Sequence, residues 1–498
     1  MPRTVFAGRA RRALPAPDAF ARPHPTVVLG VILATYLMIV LDASVVITAL
    51  PSIGERLGFS SAGLSWVQSA YALTFGGLLL LGARMGDILG RRRTFVAGVA
   101  LFTFASFLGG LAQTQSWLLG ARALQGVGAA IAAPSTLALL TTSFREGPER
   151  TRALAAYGAV AGGGGSVGLV LGGMLTDWIS WRWGLWINVP VGLVLVWLAP
   201  RVLAETQRRA GRFDLPGAAA STLGMSALVY GFVHAAEAAW GDAVTVVSFA
   251  AAAVLLATFV AVERRAAHPI TPLRLFASRP RAGAYVARML LVGGIFSMFF
   301  FLSQYLQGVH GFSPLQAGVA FLPMTAVLFS TVQIVPRLAA RWGEARLLVT
   351  GVSIALAGMA WLSRLDETTP FFPDIALPLI LLGLGMGAAL APLTAAGIAG
   401  VEPADAGAAS GVVNAAQQLG VSLGISILVT VAAAAGGADE RAVSGVPLEG
   451  AARAELAHAV ATALTGSAVL LALGLAVVAA TVHPSRPAGT PDHVLEVA

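Results

Sequence analysis

An aspartate stands where a bilayer-crossing segment tolerates one least. Asp42 lies deep in an apolar stretch that begins near Val27 and runs on through Leu41-Asp42-Ala43-Ser44-Val45-Val46-Ile47-Thr48-Ala49-Leu50-Pro51. A carboxylate in the middle of such a span costs about 2.5–3.5 kcal/mol on insertion scales, and charges kept at that cost mark ion or substrate pathways. Arg122 sits in another apolar stretch that starts near Ser116. At about 1.5 Å per helical residue, Asp42 is about 22 Å along its span and Arg122 about 9 Å into its own. If the two spans run in opposite directions through a core of about 30 Å, both residues lie in the same half at nearly equal depth. They can serve proton or substrate binding, or form a structural ion pair between two helices.

Three further groups carry polar chemistry inside apolar surroundings. Asn414, Gln417 and Gln418 share one helical face by their i, i+3, i+4 spacing, and Ser410 extends it. Gln304 and Gln307 lie among Phe296, Phe299, Phe300, Phe301 and Tyr305. These amides either hydrogen-bond neighbouring helices or line a polar and aromatic substrate cavity. Arg288 lies about one turn inside its span, close enough to the end to snorkel, and receives no site role. The turn Ala83-Arg84-Met85-Gly86-Asp87-Ile88-Leu89-Gly90-Arg91-Arg92-Arg93 is a different kind of feature. Snorkelling explains its arginines. It does not explain Asp87 or the glycines Gly86 and Gly90, which point to a close, hydrogen-bonded turn acting as a gate. The glycine-rich run from Gly158 to Gly173, with Gly168, Gly172 and Gly173 at its end, permits close helix packing. It also permits bending, and both readings stand.

Composition removes most competing chemistries. The 498 residues are 57% hydrophobic and 11% charged, against about 25% charged in a soluble domain, so most of the surface faces lipid. There is no cysteine and no lysine; every basic residue is arginine. Disulfides, thiolate nucleophiles, lysine Schiff bases and the lysine-bearing phosphate loop of nucleotide-driven pumps are excluded. His24, His234, His268, His310, His458, His483 and His493 are scattered, without metal-binding spacing, and no carboxylate pair is placed for hydrolysis. No cofactor, no metal and no enzymatic activity are expected. The net charge of +8 is explained by topology and not by nucleic-acid binding.

The positioning elements follow from a length rule of about 20 apolar residues per helical span. Reading with it gives about fourteen spans: 27–50, 64–82, 94–112, 116–141, 153–176, 183–200, 216–236, 243–262, 283–307, 315–336, 346–363, 374–399, 406–434 and 458–481. With the N-terminus inside, only Arg56, Arg182, Arg364, Arg441 and Arg453 fall outside, and Arg122 and Arg288 lie within spans; all other arginines are inside. That split obeys the positive-inside rule and places both termini in the cytoplasm. Basic turns at Arg84–Arg93 and Arg337–Arg346 recur eight spans apart, as two six-span halves separated by a two-span insert would give. The expected organisation is a tail 1–25, a six-helix bundle 26–200, an insert 201–280, a second six-helix bundle 281–482 and a tail 483–498. The loop 435–457, with Asp439, Glu440, Arg441 and Glu449, reads as solvated surface.

These motifs resemble the major facilitator superfamily, specifically its fourteen-span drug:proton antiporter branch. Leu41–Pro51 is similar to that branch's first-helix motif, with Ser44 for the usual Thr and Ile47 for the usual Asn. Ala83–Arg93 resembles the superfamily's loop after helix 2, with Ala83 for Gly. Leu118-Leu119-Gly120-Ala121-Arg122-Ala123-Leu124-Gln125-Gly126-Val127-Gly128-Ala129-Ala130 matches the fourth-helix motif throughout. Gly168, Gly172 and Gly173 resemble the antiporter motif of helix 5, with Leu169 where many members have Pro. Trp181-Arg182-Trp183, Asn188-Val189-Pro190-Val191-Gly192 and Ser410 to Gly424 also read like this branch.

The resemblance covers essentially the whole chain. It implies an all-α membrane protein with the major facilitator fold, two six-helix bundles and two extra helices between them. It implies proton-driven export of lipophilic, often cationic, drugs or antibiotics by alternating access, from a monomer in the plasma (inner) membrane. On this reading Asp42 and Arg122 serve proton coupling. Gly86, Asp87, Gly90, Arg91, Arg92, Gln125, Gly126, Gly168, Gly172 and Gly173 belong to gate and structural motifs. Arg145 and Arg152 are available as partners of Asp87, whereas the start of span 13 offers Asp405. The rival readings are transport of one specific metabolite in either direction and, in a different class, a membrane enzyme acting on lipid-linked substrates.

Overall fold

The computed structural model describes residues 24–482 except 146, 207, 209–213, 267–268, 270, 403–404, 436–447 and 449. The tail 483–498, almost all of the tail 1–25, His268, and the loop residues Asp439, Glu440, Arg441 and Glu449 therefore lie outside the described residues. Among those described there is no strand, and fourteen helical segments are long and apolar enough to cross a membrane.

In chain order the helices are α1 (Pro25–Leu57), α2 (Trp66–Leu89), α3 (Arg91–Gly110), α4 (Gln115–Ser143), α5 (Pro148–Trp178), α6 (Arg182–Trp186), α7 (Asn188–Val202), α8 (Leu215–Glu237) and α9 (Ala243–Arg265). There follow α10 (Arg279–Gly308), α11 (Pro314–Ala320), α12 (Leu322–Trp342), α13 (Glu344–Leu362), α14 (Ala376–Ile398), α15 (Ala406–Ala434) and α16 (Gly450–Thr481). α6 with α7, and α11 with α12, each make up one span. The α11 start is a capping box in which Ser313 and Gln316 exchange backbone and side-chain bonds; Asp214 and Asp242 cap α8 and α9. The first span is longer than its apolar run, because Pro51 does not end it. The buried faces of Leu50 and Ile53 keep the chain helical until Gly58, which closes α1 at φ 68°.

The two halves use the same pairings. α2 and α3 both pack on α4, and α1 packs on α5; eight spans later α12 and α13 both pack on α14, and α10 on α15. Backbones approach closely at these contacts. A Cβ on Gly126 would come within 2.4 Å of the Tyr71 carbonyl, and one on Gly383 within 2.1 Å of the Met324 carbonyl. The turns after α2 and α12 are equivalent too. Gly90 (φ 102°) and Gly343 (φ 81°) each start the next helix in a conformation that a Cβ disfavours. The α8–α9 hairpin packs against both halves through α8. α8 packs on α2 and α15, where Thr430 Oγ1 donates to the Phe232 carbonyl at 2.7 Å and Gly77 faces Thr222.

The halves meet tightly at the face away from the N-terminus of α1. Ser303 Oγ donates to the Ile47 carbonyl at 3.3 Å, and Gln307 Nε2 to the Thr48 carbonyl at 3.2 Å. α11 lies against α5, with Gly173 facing Pro314 and Gly318 facing Leu169. The largest apolar cluster runs across this seam, joining Ile47, Leu50 and Leu169 to Met298, Leu302 and Ala317.

Candidate functional site

Below the seam the halves part around a cavity of about 1180 Å³ that reaches the face where α1 begins. Its mouth holds Asp87 at the end of α2, Arg91 at the start of α3, Arg274 just before α10 and Asp405 just before α15. Its deep wall is mixed. Phe296, Phe299 and Leu328 are apolar; Tyr36 and Tyr157 stack at 4.0 Å; Asn414, Gln417 and Gln418 supply amides. That size and lining suit a drug-sized amphiphile.

Asp42 and Arg122 are brought together. Both are fully buried, and Arg122 Nη1 donates to Asp42 Oδ2 at 2.5 Å. The other carboxylate oxygen accepts from Gln125 Nε2 and Asn188 Nδ2, both at 2.9 Å. Arg122 Nε donates to the Val67 carbonyl at 3.0 Å, and Gln125 Nε2 also donates to Ser106 Oγ at 2.8 Å. The pair does not line the cavity. Tyr71 does, and the Arg122 guanidinium lies 4.5 Å from the centre of its ring. With Gln68, which donates to the Ala43 carbonyl, Tyr71 forms the partition between the ion pair and the open space. Five spans converge here: α1 supplies Asp42, α2 Tyr71, α3 Ser106, α4 Arg122 and Gln125, and α7 Asn188. Asn188, Tyr71 and Ser106 were not singled out as site residues from sequence. An amide in the Asn188-Val189-Pro190 motif was the available signal, and only the fold sets it beside Asp42.

The helix-2 turn is compact and local. Asp87 Oδ1 accepts from Arg91 Nη2 at 2.7 Å, one helical turn on, across the break at Gly90. The amides of Arg91 and Arg92 donate to Thr206 Oγ1 and Glu205 Oε1, which tie the turn to the chain after α7. Gly86 faces Ser135 of α4. Asp87 thus pairs with its own turn and not with Arg145 or Arg152. Asp405 is held by Arg274 through two bonds of 2.7 Å. In helix 5, Gly168 and Gly172 lie against Leu41, Ser44 and Val45 of α1, whereas Gly173 faces α11 across the seam. These three positions serve close packing, two within a half and one between halves.

Two expectations need correction. Gln304 and Gln307 do not line the cavity. Both are buried in or beside the closed seam, Gln304 bonding the Phe300 carbonyl and Gln307 bonding Thr48 and Ser303. Their end of α10 is the end at which the halves touch. Arg288 does not snorkel. α10 begins at Arg279, so Arg288 is more than two turns in, 9% exposed, and bonded to Thr394 Oγ1 (2.8 Å) and Gln417 Oε1 (2.6 Å). Among the described residues no cluster could hold a metal ion.

Residues 32–425 match the family model of the Major Facilitator Superfamily. The chain is 45% identical to the puromycin resistance protein pur8 of Streptomyces alboniger over 412 residues, 82% of each chain. It is 41% identical to the cephamycin export protein CmcT of Amycolatopsis lactamdurans over 479 residues, 95% of each. Among solved structures it resembles an inward-facing, unoccupied bacterial homologue of the human lysosomal transporter Spinster, with a TM-score of 0.64 at 16% identity, over 92% of this chain and 97% of that one. The matched length, the paired six-span halves and the central cavity agree: this chain is a multi-pass membrane transport protein, and it belongs to the Major Facilitator Superfamily.

Proposed function

We propose that the protein is a proton-coupled antiporter that exports lipophilic drugs or antibiotics by alternating access. The observation that carries this reading is a buried carboxylate, Asp42, held by Arg122 one side chain away from a large amphipathic cavity. Acids kept inside a membrane span are the groups that proton relays use, and Asp42 is fully buried within α1. Relatives described as resistance and export proteins favour drugs as the cargo. One proton moving inward gains about 2.3 kcal/mol per 100 mV of membrane potential. Asp42 and Arg122 are the proposed coupling residues, and Asn188 and Gln125 hold them in place.

The arginine distribution supports a plasma-membrane orientation with both termini cytoplasmic, so the cavity opens inward in this conformation. The proposed units are a bundle 26–200, an insert 201–280 and a bundle 281–482, working as a monomer. Asp87, Arg91 and Arg92 are the proposed cytoplasmic gate residues. Asn414, Gln417 and Gln418 are the proposed substrate contacts. The test is efflux of a fluorescent drug panel from proteoliposomes under an imposed pH gradient. Transport that runs downhill only, unaffected by the gradient, would refute proton coupling.

A further inference from the structure

Arg288 is the second guanidinium inside the membrane, and unlike Arg122 it has no acid. Among the described residues every ion pair lies elsewhere. Its Nη1 donates to Thr394 Oγ1 and its Nη2 to Gln417 Oε1, while its Nε is buried with no hydrogen-bond partner. Both partners line the cavity, as does Tyr36, whose hydroxyl is within Coulombic reach of Arg288. Arg288 itself stands one side chain behind the cavity wall, with its Nε closed off by Thr394, Gln417 and their neighbours; a buried charge inside the membrane is a functional-site candidate by default.

The unfilled donor has a definite shape. Nε–H and one Nη–H of a guanidinium form a parallel fork that fits the two oxygens of a carboxylate. Arg274 uses that edge, gripping Asp405 with Nε and Nη2 at 2.7 Å each. On Arg288 the same edge is half filled. Gln417 puts one amide oxygen on Nη2 and nothing sits on Nε. An amide supplies one acceptor where a carboxylate would supply two.

We propose that Arg288 is the anchor for an acidic group on the transported molecule, so that the cavity selects amphiphiles carrying a carboxylate on a flat apolar body. The carboxylate displaces Gln417 from Nη2 and fills Nε as well. The apolar body lies on the Tyr36–Tyr157 stack and against Phe296 and Phe299. This rests on the central space being the transport cavity, but not on proton coupling.

The test is binding to the full-length protein in lipid nanodiscs, with protein-free nanodiscs subtracted and no proton gradient. The probes are pyrenebutyrate, its neutral amide and the matching pyrenebutylamine. Pyrenebutyrate should bind about tenfold more tightly than the amide, and Arg288→Gln should bring it to the amide's level while amide affinity stays within about twofold. Arg288→Lys, which keeps the charge and loses the fork, should fall between. Gln417→Ala should tighten pyrenebutyrate, since it removes the competing acceptor. The proposal is overturned if the amine binds as well as the carboxylate or if pyrenebutyrate does not bind. It is equally overturned if Arg288→Gln weakens all three probes alike, or if Gln417→Ala leaves the carboxylate unchanged. Selective binding without gradient-driven efflux would strike the coupling reading alone.

Discussion

Replacing Asp42 by asparagine tests proton coupling most directly, because every partner of this carboxylate is a donor. Arg122 Nη1, Gln125 Nε2 and Asn188 Nδ2 all point hydrogens at it. An amide has one oxygen and one NH₂ to offer. In either orientation its NH₂ faces a donor, and Gln125 is not free to turn over, since its Oε1 accepts from Arg122 at 2.9 Å and its Nε2 also serves Ser106. Breaking a buried ion pair from one side costs about 3–5 kcal/mol, and each buried donor left unmade about 1–3 kcal/mol. The variant should therefore unfold at a lower temperature, and stability alone does not separate a structural role from a coupling one. Asn188→Ala is the control. It loses one donor, about 1 kcal/mol, and keeps the titratable group. The assay is substrate distribution across proteoliposomes at an imposed difference of about two pH units. With one proton exchanged per substrate that gradient supplies about 2.7 kcal/mol, or a ratio of about 100 at equilibrium. Wild type and Asn188→Ala should approach that ratio. Asp42→Asn should equilibrate near unity while still exchanging substrate without a gradient. A gradient-driven ratio retained by Asp42→Asn at normal expression refutes the assignment.

Other outcomes follow from the same geometry. Asp87→Asn should slow cycling and leave substrate affinity unchanged, because the half-exposed Asp87–Arg91 pair is worth only about 0.3–0.5 kcal/mol and lies at the cavity mouth; a large loss of affinity with normal cycling counts against a gate. Gly173→Val should open the outer seam, since a Cβ there meets the Pro314 carbonyl at 2.3 Å, whereas Gly172→Val, meeting Val45 of its own half at 2.4 Å, should lower folding yield. Access of a membrane-impermeant maleimide to an Ile47→Cys reporter distinguishes the two, and a Gly173→Val protein that stays closed defeats the seam assignment. The chain has no native cysteine, so single cysteines also test topology. Ala238→Cys should label in intact cells and Ala204→Cys only after permeabilisation, and the same side for both would sink the orientation.

Much of the architecture was readable before any tertiary structure. Spans of about 20 apolar residues are self-contained, because a helix satisfies its own backbone in lipid, and the eight-span offset of the Gly90 and Gly343 turns announced the repeat. The depth count that put Asp42 level with Arg122 needed only the helical rise, and these residues do pair. What sequence could not decide was which face each helix turns to which neighbour. Gln304 and Gln307 have the composition of cavity residues, yet they fall where the halves touch, because seam and cavity occupy opposite ends of the same helices. The apolar run from 283 reads Arg288 as a snorkelling residue; the helix starts at Arg279, and that buries it. Asn188 shares no local pattern with Asp42 and reaches it only through the folding of α7 against α1. Hydrophobic length and the spacing of charges are properties of a single span and can be read along the chain. Partners of buried polar groups depend on the rotation of several spans about one another, and that is decided only when they pack.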